Sequence, residues 1–454
     1  MLRDREKFNA DLTRFLDASP TPFHAVLEMT KTLLGAGFTE LKESDSWSLS
    51  VGEKYFVTRN GSSIIAFVVG KEDIVDMGIK MVGAHTDSPC LMVKPQPEVN
   101  KQGYFQLGVE VYGGALLNPW FDRDLSIAGR LVYRDKKQNL KQKIVDFERA
   151  VATIPSLAIH LDREANKDRS INAQTDITPI LMQCAGSTSF RNLLAEHFLG
   201  KEDKVIDYEL CLYDTQPAAI VGLNDEFITS ARLDNLLSCF VATQSIVNTN
   251  SEQTSLMVCN DHEEVGSVSA IGADGPFLES IVARLCTVNT SSEMISRVIT
   301  KSLMISCDNA HATHPNFANK HDGGHMPALN GGPVVKVNVK QRYATNSITS
   351  SLFKQLCSDI DVPVQHFVSR NDLGCGSTIG PITSGRLGVP TLDVGIPQLA
   401  MHSCREMTGT EDPRRLSNVF IEVFNRPYNT LLEVEKQRLS GMLESLLGRQ
   451  LINA

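Results

Sequence analysis

Lys80-Met-Val-Gly-Ala-His85-Thr-Asp87 and Ser255-Leu-Met-Val-Cys-Asn260-Asp-His-Glu263-Glu264 follow one plan, a short β-type run that ends in histidine and carboxylates. Two further segments repeat it. Leu303-Met-Ile-Ser-Cys leads into Asp308-Asn-Ala-His311, and Pro390-Thr-Leu-Asp-Val-Gly395 leads after a short loop to His402. Short apolar runs bounded by turn residues read as buried strands. In open α/β sheets, ligands bind at the carboxyl ends of strands, because several loops converge there. Four chemically loaded strand ends therefore predict an α/β fold, with a β-sheet flanked by helices and a site along one sheet edge.

The rest of the chain is consistent with that centre. Helical patterns cover roughly 4–17 and 23–36, the first ending before Ser19-Pro20-Thr21-Pro22 and the second closed by Gly35 and Gly37. Short β-type runs follow at Tyr55–Arg59, Ser63–Gly70 and Ile79–Ala84. Residues 93–231 differ, with Pro95 and Pro97, alternation over Tyr104–Tyr112 and a polar stretch at 162–176. They predict a mostly β domain inserted between 1–92 and 232–454. Leu233, Leu236, Leu237, Phe240 and Val241 fit one face of an amphipathic helix, as do Leu416, Val419, Phe420, Val423 and Phe424.

Composition narrows the function. The chain has 454 residues, a net charge of −9 and 42% hydrophobic residues, which indicates a globular protein of two or three domains. The acidic balance argues against nucleic acid or an anionic membrane as partner. The longest apolar run, Ile64–Val69, is far short of the ~20 residues needed to span a bilayer. The amino terminus lacks the apolar stretch of a signal peptide. Ten cysteines form no C-x-x-C pair, and several lie in apolar runs, which fits a reducing cytoplasm.

His85, Asp87, Asp234, Glu263, Glu264, Asp308, His311 and His402 offer nitrogen and oxygen donors without thiolate. Such a set suits catalytic zinc, with cobalt or manganese tolerable. Two histidines and three carboxylates can hold a pair of ions that share one carboxylate. In an extended loop, vicinal Glu263 and Glu264 would diverge, one to ligate and one to move a proton. Asp87, two residues beyond His85 on a strand, would share its face and fix its tautomer. Simpler roles compete: a lone histidine after a strand is commonly a hydrogen-bonding residue, adjacent glutamates are commonly solvated, and Asp234 can cap a helix. Spacing alone leaves both readings open.

At these residues the chain resembles the aspartyl aminopeptidase family, di-zinc peptidases that remove N-terminal Asp or Glu. The resemblance runs from Ser19-Pro-Thr-Pro-Phe-His24 through Gly83-Ala-His-Thr-Asp-Ser-Pro89, Asn118-Pro-Trp-Phe-Asp-Arg123 and Pro155-Ser-Leu-Ala-Ile-His160. It continues through Ala231-Arg-Leu-Asp-Asn235, Asp261-His-Glu-Glu-Val-Gly-Ser267, Ser306-Cys-Asp-Asn-Ala-His311, Lys336–Tyr343, Cys375–Pro381 and Gln398–Glu406. It implies a zinc-exopeptidase fold whose inserted domain mediates dimerisation, within a homododecamer built from dimers. His85 and Asp308 would be terminal ligands of one zinc, Asp234 the bridge, and Glu264 and His402 the remaining ligands of the second. Glu263 would be the general base acting on the bridging hydroxide, and Asp87 the orienter of His85. His160 would reach a neighbouring subunit's site to stabilise the oxyanion.

The resemblance also implies that Lys336, His311 and Tyr343 hold the substrate, with Lys336 facing its acidic side chain. Asn309 departs from the pattern, standing where an apolar residue is expected. The Gly-rich 321–333 stretch reads as a flexible active-site loop. Because the chain carries −9, acidic peptides must be drawn by local zinc and lysine. The ligand set does not itself define the residue removed, so a related di-zinc exopeptidase or deacylase stays open.

Overall fold

The computed structural model describes residues 2, 4–183, 188–250, 252–286 and 292–426. Cys184 lies outside them, and the nine described cysteines are free. Among the described residues no helix is long and apolar enough to cross a membrane.

The centre is a nine-stranded mixed sheet. Its strands run in the order Thr39–Glu40, Lys54–Arg59, Ser63–Val68, Ser255–Asn260, Lys80–His85, Leu303–Cys307, Thr391–Gly395, Val334–Lys336 and Gln365–Phe367. The four chemically loaded runs are neighbours in it and mutually parallel, so their carboxyl ends share one edge. Both faces are covered, which is why these strands read as continuous apolar runs. Ile64, Ala66, Val82, Ala84, Met257, Cys259, Ile305 and Leu392 pack on one side. The alternate residues Ile65, Phe67, Met81, Leu256, Val258 and Met304 pack on the other.

The first side carries the helices Arg5–Asp17, Pro22–Gly35, Leu233–Val247, Ser347–Asp359 and Asp412–Asn425. The second carries Phe277–Leu285, Ser292–Lys301 and Ile379–Leu387. Helix starts follow their sequence signals: Thr21 accepts from the His24 amide with Pro22 in the first turn, and Asn346 closes a capping box with Thr349. Leu233–Val247 departs from expectation. It is buried nearly all round, because the Asp412–Asn425 helix and the two N-terminal helices cover the side turned away from the sheet. A single apolar stripe understated its burial.

A second, six-stranded antiparallel sheet is ordered Leu140–Asp146, Leu125–Arg134, Lys204–Asp214, Cys90–Lys101, Tyr104–Tyr112 and Ile180–Gln183. It has its own core around Phe105, Leu107, Leu131, Phe190 and Leu210. Pro95 and Pro97 fall where its register shifts between Val93 and Glu98, the kind of irregularity that accommodates a missing N–H. Ala219–Val221 and Phe227–Ser230 lie elsewhere. They join Glu406–Gly409, Pro397–Leu399 and Ala310–His311 in a third, five-stranded sheet. The chain thus leaves the six-stranded sheet after Asp214, before residue 231.

Candidate active site and metal centre

His85 ends its strand with Asn260 as its registered neighbour, so the two central strands deliver His85 and the Glu263-Glu264 pair to one place. The glutamates are not in an extended loop. Glu263–Val265 form one tight helical turn between His262 and Gly266, both left-handed. Asp87 organises this turn. Its Oδ1 accepts from the Glu263 amide at 3.1 Å and its Oδ2 from the Glu264 amide at 3.0 Å. Asp87 lies past the end of the strand, yet its Oδ1 still stands 3.4 Å from His85 Nδ1. Anchoring the Glu turn is a role that spacing did not reveal.

Asp234 does not cap its helix. Its backbone is non-helical (φ −83°, ψ 106°), and its side chain turns into the site. Side chains from other elements fix that start: Ser88 Oγ donates to Asp234 O, and Glu406 Oε2 accepts from the Asp234 amide. Asn309, the departure noted in the sequence, is a satisfied buried amide. Its Nδ2 donates to Leu233 O at 2.8 Å and to Gln398 Oε1 at 2.9 Å. Asp308 is set by proximity of strands: a Cβ on Gly395 would stand 2.0 Å from Asp308 O, so only glycine fits there.

The decisive geometry is the placement of Asp234 between the two histidines. His85 Nε2 lies 3.5 Å from its Oδ1, and His402 Nε2 lies 3.5 Å from its Oδ2. Glu264 Oε2 is 3.4 Å from His402 Nε2, and Glu263 Oε2 is 3.9 Å from His85 Nε2. Donor atoms fall into the overlapping groups His85–Asp234–Asp308 and Asp234–Glu264–His402, each within 4.8 Å, and a third joins His85 to Glu263 and Glu264. His85 Nε2, Asp234 Oδ1 and Glu264 Oε1 are buried without a hydrogen-bond partner. Three orphaned lone-pair donors converging in one place call for a cation.

The chain belongs to the M18 peptidase family. Residues 15–424 match the family described as aminopeptidase I zinc metalloprotease (M18). A probable M18 family aminopeptidase 2 of Ectopseudomonas mendocina (strain ymp) is 55% identical over 429 residues, covering 93% of this chain and 99% of that protein. A chain of the cryo-EM structure of the Ape4 and Nbr1 complex superposes with a TM-score of 0.90 at 38% identity, over 95% of this chain and 87% of the other. The S. cerevisiae mApe1 dodecamer gives 0.82 at 28%, over 95% and 99%. M18 membership makes the chain a metallo-aminopeptidase of a zinc family, and the nitrogen and oxygen donors found here fit that metal.

Electrostatics differ around the M18 centre. Burial pushes the Glu263 carboxyl up to about 7, opposed by His85 and reinforced by Asp308, Asp87 and Asp234. Burial, with Asp234, pushes Glu264 to about 9. His402 is held up to about 10 because hydrogen bonding to Asp234 and the Glu264 charge outweigh its burial. Glu406, which no sequence reading assigned, is fully enclosed and pushed to about 8 by burial and by Asp234. It accepts from the Asp234 amide on one oxygen and the His402 amide on the other, at 3.0 and 2.8 Å. Its signal in the sequence was a glutamate leading the apolar-polar run Glu406–Gly409.

The centre opens into a cavity of about 360 Å³, whose wall also includes Lys336, His311 and Tyr343. Lys336 is not an exposed strand lysine. Its side chain is 4% exposed, its Nζ lies 3.6 Å from Asp308 Oδ1, and the Tyr343 ring centre is 5.4 Å away. His311 packs edge-on against Phe367 at 5.6 Å. His160 is exposed and absent from the cavity wall, with Leu157, Ile159 and Leu161 exposed beside it. The 321–333 stretch is tied down at its far end, where the Asp412 carboxylate accepts from the Asn330 and Gly332 amides.

Proposed function

We propose that the chain removes acidic residues, Asp or Glu, from peptide amino termini, using two zinc ions per subunit. The observation that carries this reading is Asp234, whose two oxygens address opposite histidines inside a cavity that also contains Glu263 and Lys336. His85 and Asp308 would hold one ion, Glu264 and His402 the other, and Asp234 both. Zinc, when bound, supplies Lewis-acid activation of the water and the scissile carbonyl.

The chain's own groups do the rest. Glu263, poised near neutrality, takes the proton from the attacking water and returns it to the leaving amine. Asp87 orients His85 and the glutamate turn. Among the described residues Lys336 is the one lysine or arginine on the cavity wall, and it faces the first side chain's carboxylate, with His311 and Tyr343 beside it. Carboxylates around the centre attract the free α-ammonium, which restricts cleavage to the first bond.

Assembly follows the same reading. The similar mApe1 chain forms a dodecamer, and the exposed Leu157-Ser-Leu-Ala-Ile-His160-Leu161 strip supports a homododecamer built from dimers. There, the six-stranded β module would pair subunits, and His160 would stabilise the oxyanion in a neighbour's site. The free cysteines support a cytoplasmic setting. Rates on Asp-, Glu- and neutral-first peptides, before and after chelation, test the whole. Zinc-dependent cleavage selective for acidic first residues is expected; equal rates on neutral-first peptides would remove the specificity. Metal analysis decides between zinc, cobalt and manganese.

A further inference from the structure

One segment of the six-stranded sheet enters the metal centre. Tyr112 lies at the open end of the hairpin of Cys90–Lys101 and Tyr104–Tyr112, paired with Cys90. Its hydroxyl donates to Asp87 Oδ2 at 2.7 Å. Just beyond, Gly114 O stands 3.1 Å from His402 Nδ1, and the Leu116 amide donates to His402 O at 3.0 Å. The intervening backbone is pressed against the ligands. Gly113 is left-handed (φ 69°), a Cβ there would lie 3.1 Å from Glu264 Cβ, and one on Gly114 would lie 3.2 Å from His402 Nδ1.

These contacts have one chemical sense. With Nδ1–H donated to a carbonyl, Nε2 is the nitrogen that His402 turns toward Asp234 and Glu264. Asp87 is 1% exposed and carries the amides of both glutamates, so its carboxylate plane sets where Glu263 and Glu264 point. The Tyr112 hydroxyl holds that plane through Oδ2, the oxygen that also accepts from the Glu264 amide. We infer that Tyr112 is a positioning residue of the metal centre, and that Tyr112–Leu116 makes the β module a structural part of the second ligand group. The ligands alone do not define the site; the module supplies its back wall.

The inference rests on the reading that the His85–His402 cluster binds zinc, and its test is metal binding, not turnover. Metal-free full-length protein is titrated with zinc against a chromophoric chelator, and with cobalt while its visible absorption is recorded. Tyr112→Phe keeps the ring and removes one hydrogen bond. It is expected to weaken zinc about 10- to 100-fold, the range for lost partners of metal ligands, and to alter the cobalt spectrum. Tyr104→Phe, on the same strand and 38% exposed in the native chain, should change neither. Gly114→Ala, which crowds His402 from the backbone side, should also weaken zinc and serves if Tyr112→Phe does not fold.

Native affinity and an unchanged cobalt spectrum in a folded Tyr112→Phe variant would overturn the inference, as would the same result for Gly114→Ala. Equal loss in Tyr104→Phe would also overturn it, by making the effect one of general stability. Wild-type protein that binds no zinc would instead defeat the metal reading itself.

Discussion

The two donor groups that meet at Asp234 are built differently. His85 and Asp308 leave the ends of parallel strands that are buried on both faces, and the His85 side chain is 1% exposed. Glu264 and His402 sit on a tight turn and a loop, held by Asp87, Glu406 and the Gly114 carbonyl, and His402 is 31% exposed. One half takes its precision from the sheet, the other from a relay of hydrogen bonds. Sheet geometry is shared by the whole core, whereas a relay can be broken one residue at a time.

Asp234→Ala should act most strongly, because it removes the carboxylate common to both halves. Zinc content measured after dialysis should fall to near background, with activity lost; retention of one full equivalent would show that the halves are independent. Glu263→Gln comes next. It spares the proposed ligands, so zinc content should stay native while kcat falls by about 10²–10⁴-fold; full activity would sink the role of Glu263.

Glu406→Gln probes the relay. It keeps the shape but weakens the charge-assisted bonds to the Asp234 and His402 amides. Graded chelation should then strip the loop-held ion earlier than in wild type, while the strand-held ion is released as before. If both ions leave together, the distinction between the halves fails. pH offers a gentler test. Without metal, Glu264 and His402 keep their protons up to about 9 and 10, so binding at neutral pH must expel them. Zinc affinity should therefore rise with pH from 6.5 to 8.5, by about tenfold per unit for each proton displaced; a flat profile in chelator competition would contradict it. Lys336→Ala is the smallest change to the centre. The Asp-over-neutral ratio of kcat/KM should fall while zinc content holds, and an unchanged ratio would discard Lys336 as the selector.

The same contrast explains what the sequence disclosed. Strand ends are legible because apolar runs followed by His85, Glu263 or Asp308 are local patterns, and sheet parallelism aligns them automatically. Lys336 was legible only through resemblance, since nothing in Val334-Val-Lys336 marks its burial. The partners of Tyr112, Gly114 and Glu406 lie 25, 288 and 172 residues away in the chain, and those of Glu406 are backbone amides, so no local pattern marks these roles. The vicinal glutamates were found but their geometry was not. Left-handed His262 and Gly266 bend the chain into a turn that alternation cannot express. Likewise, Phe227–Ser230 pairs with Glu406–Gly409, a register invisible without the fold.

That last pairing bears on how the protein is made. Ser230 lies opposite Glu406 in the third sheet, and Glu406 in turn holds the amides of Asp234 and His402. Glu406 is synthesised 172 residues after Asp234. Until then the sheet edge that seats Asp234 has no partner, and loop closure over such a span is slow. Chains not yet extended to Glu406 therefore carry an unfinished donor set, because the Asp234 and His402 amides still lack their shared acceptor.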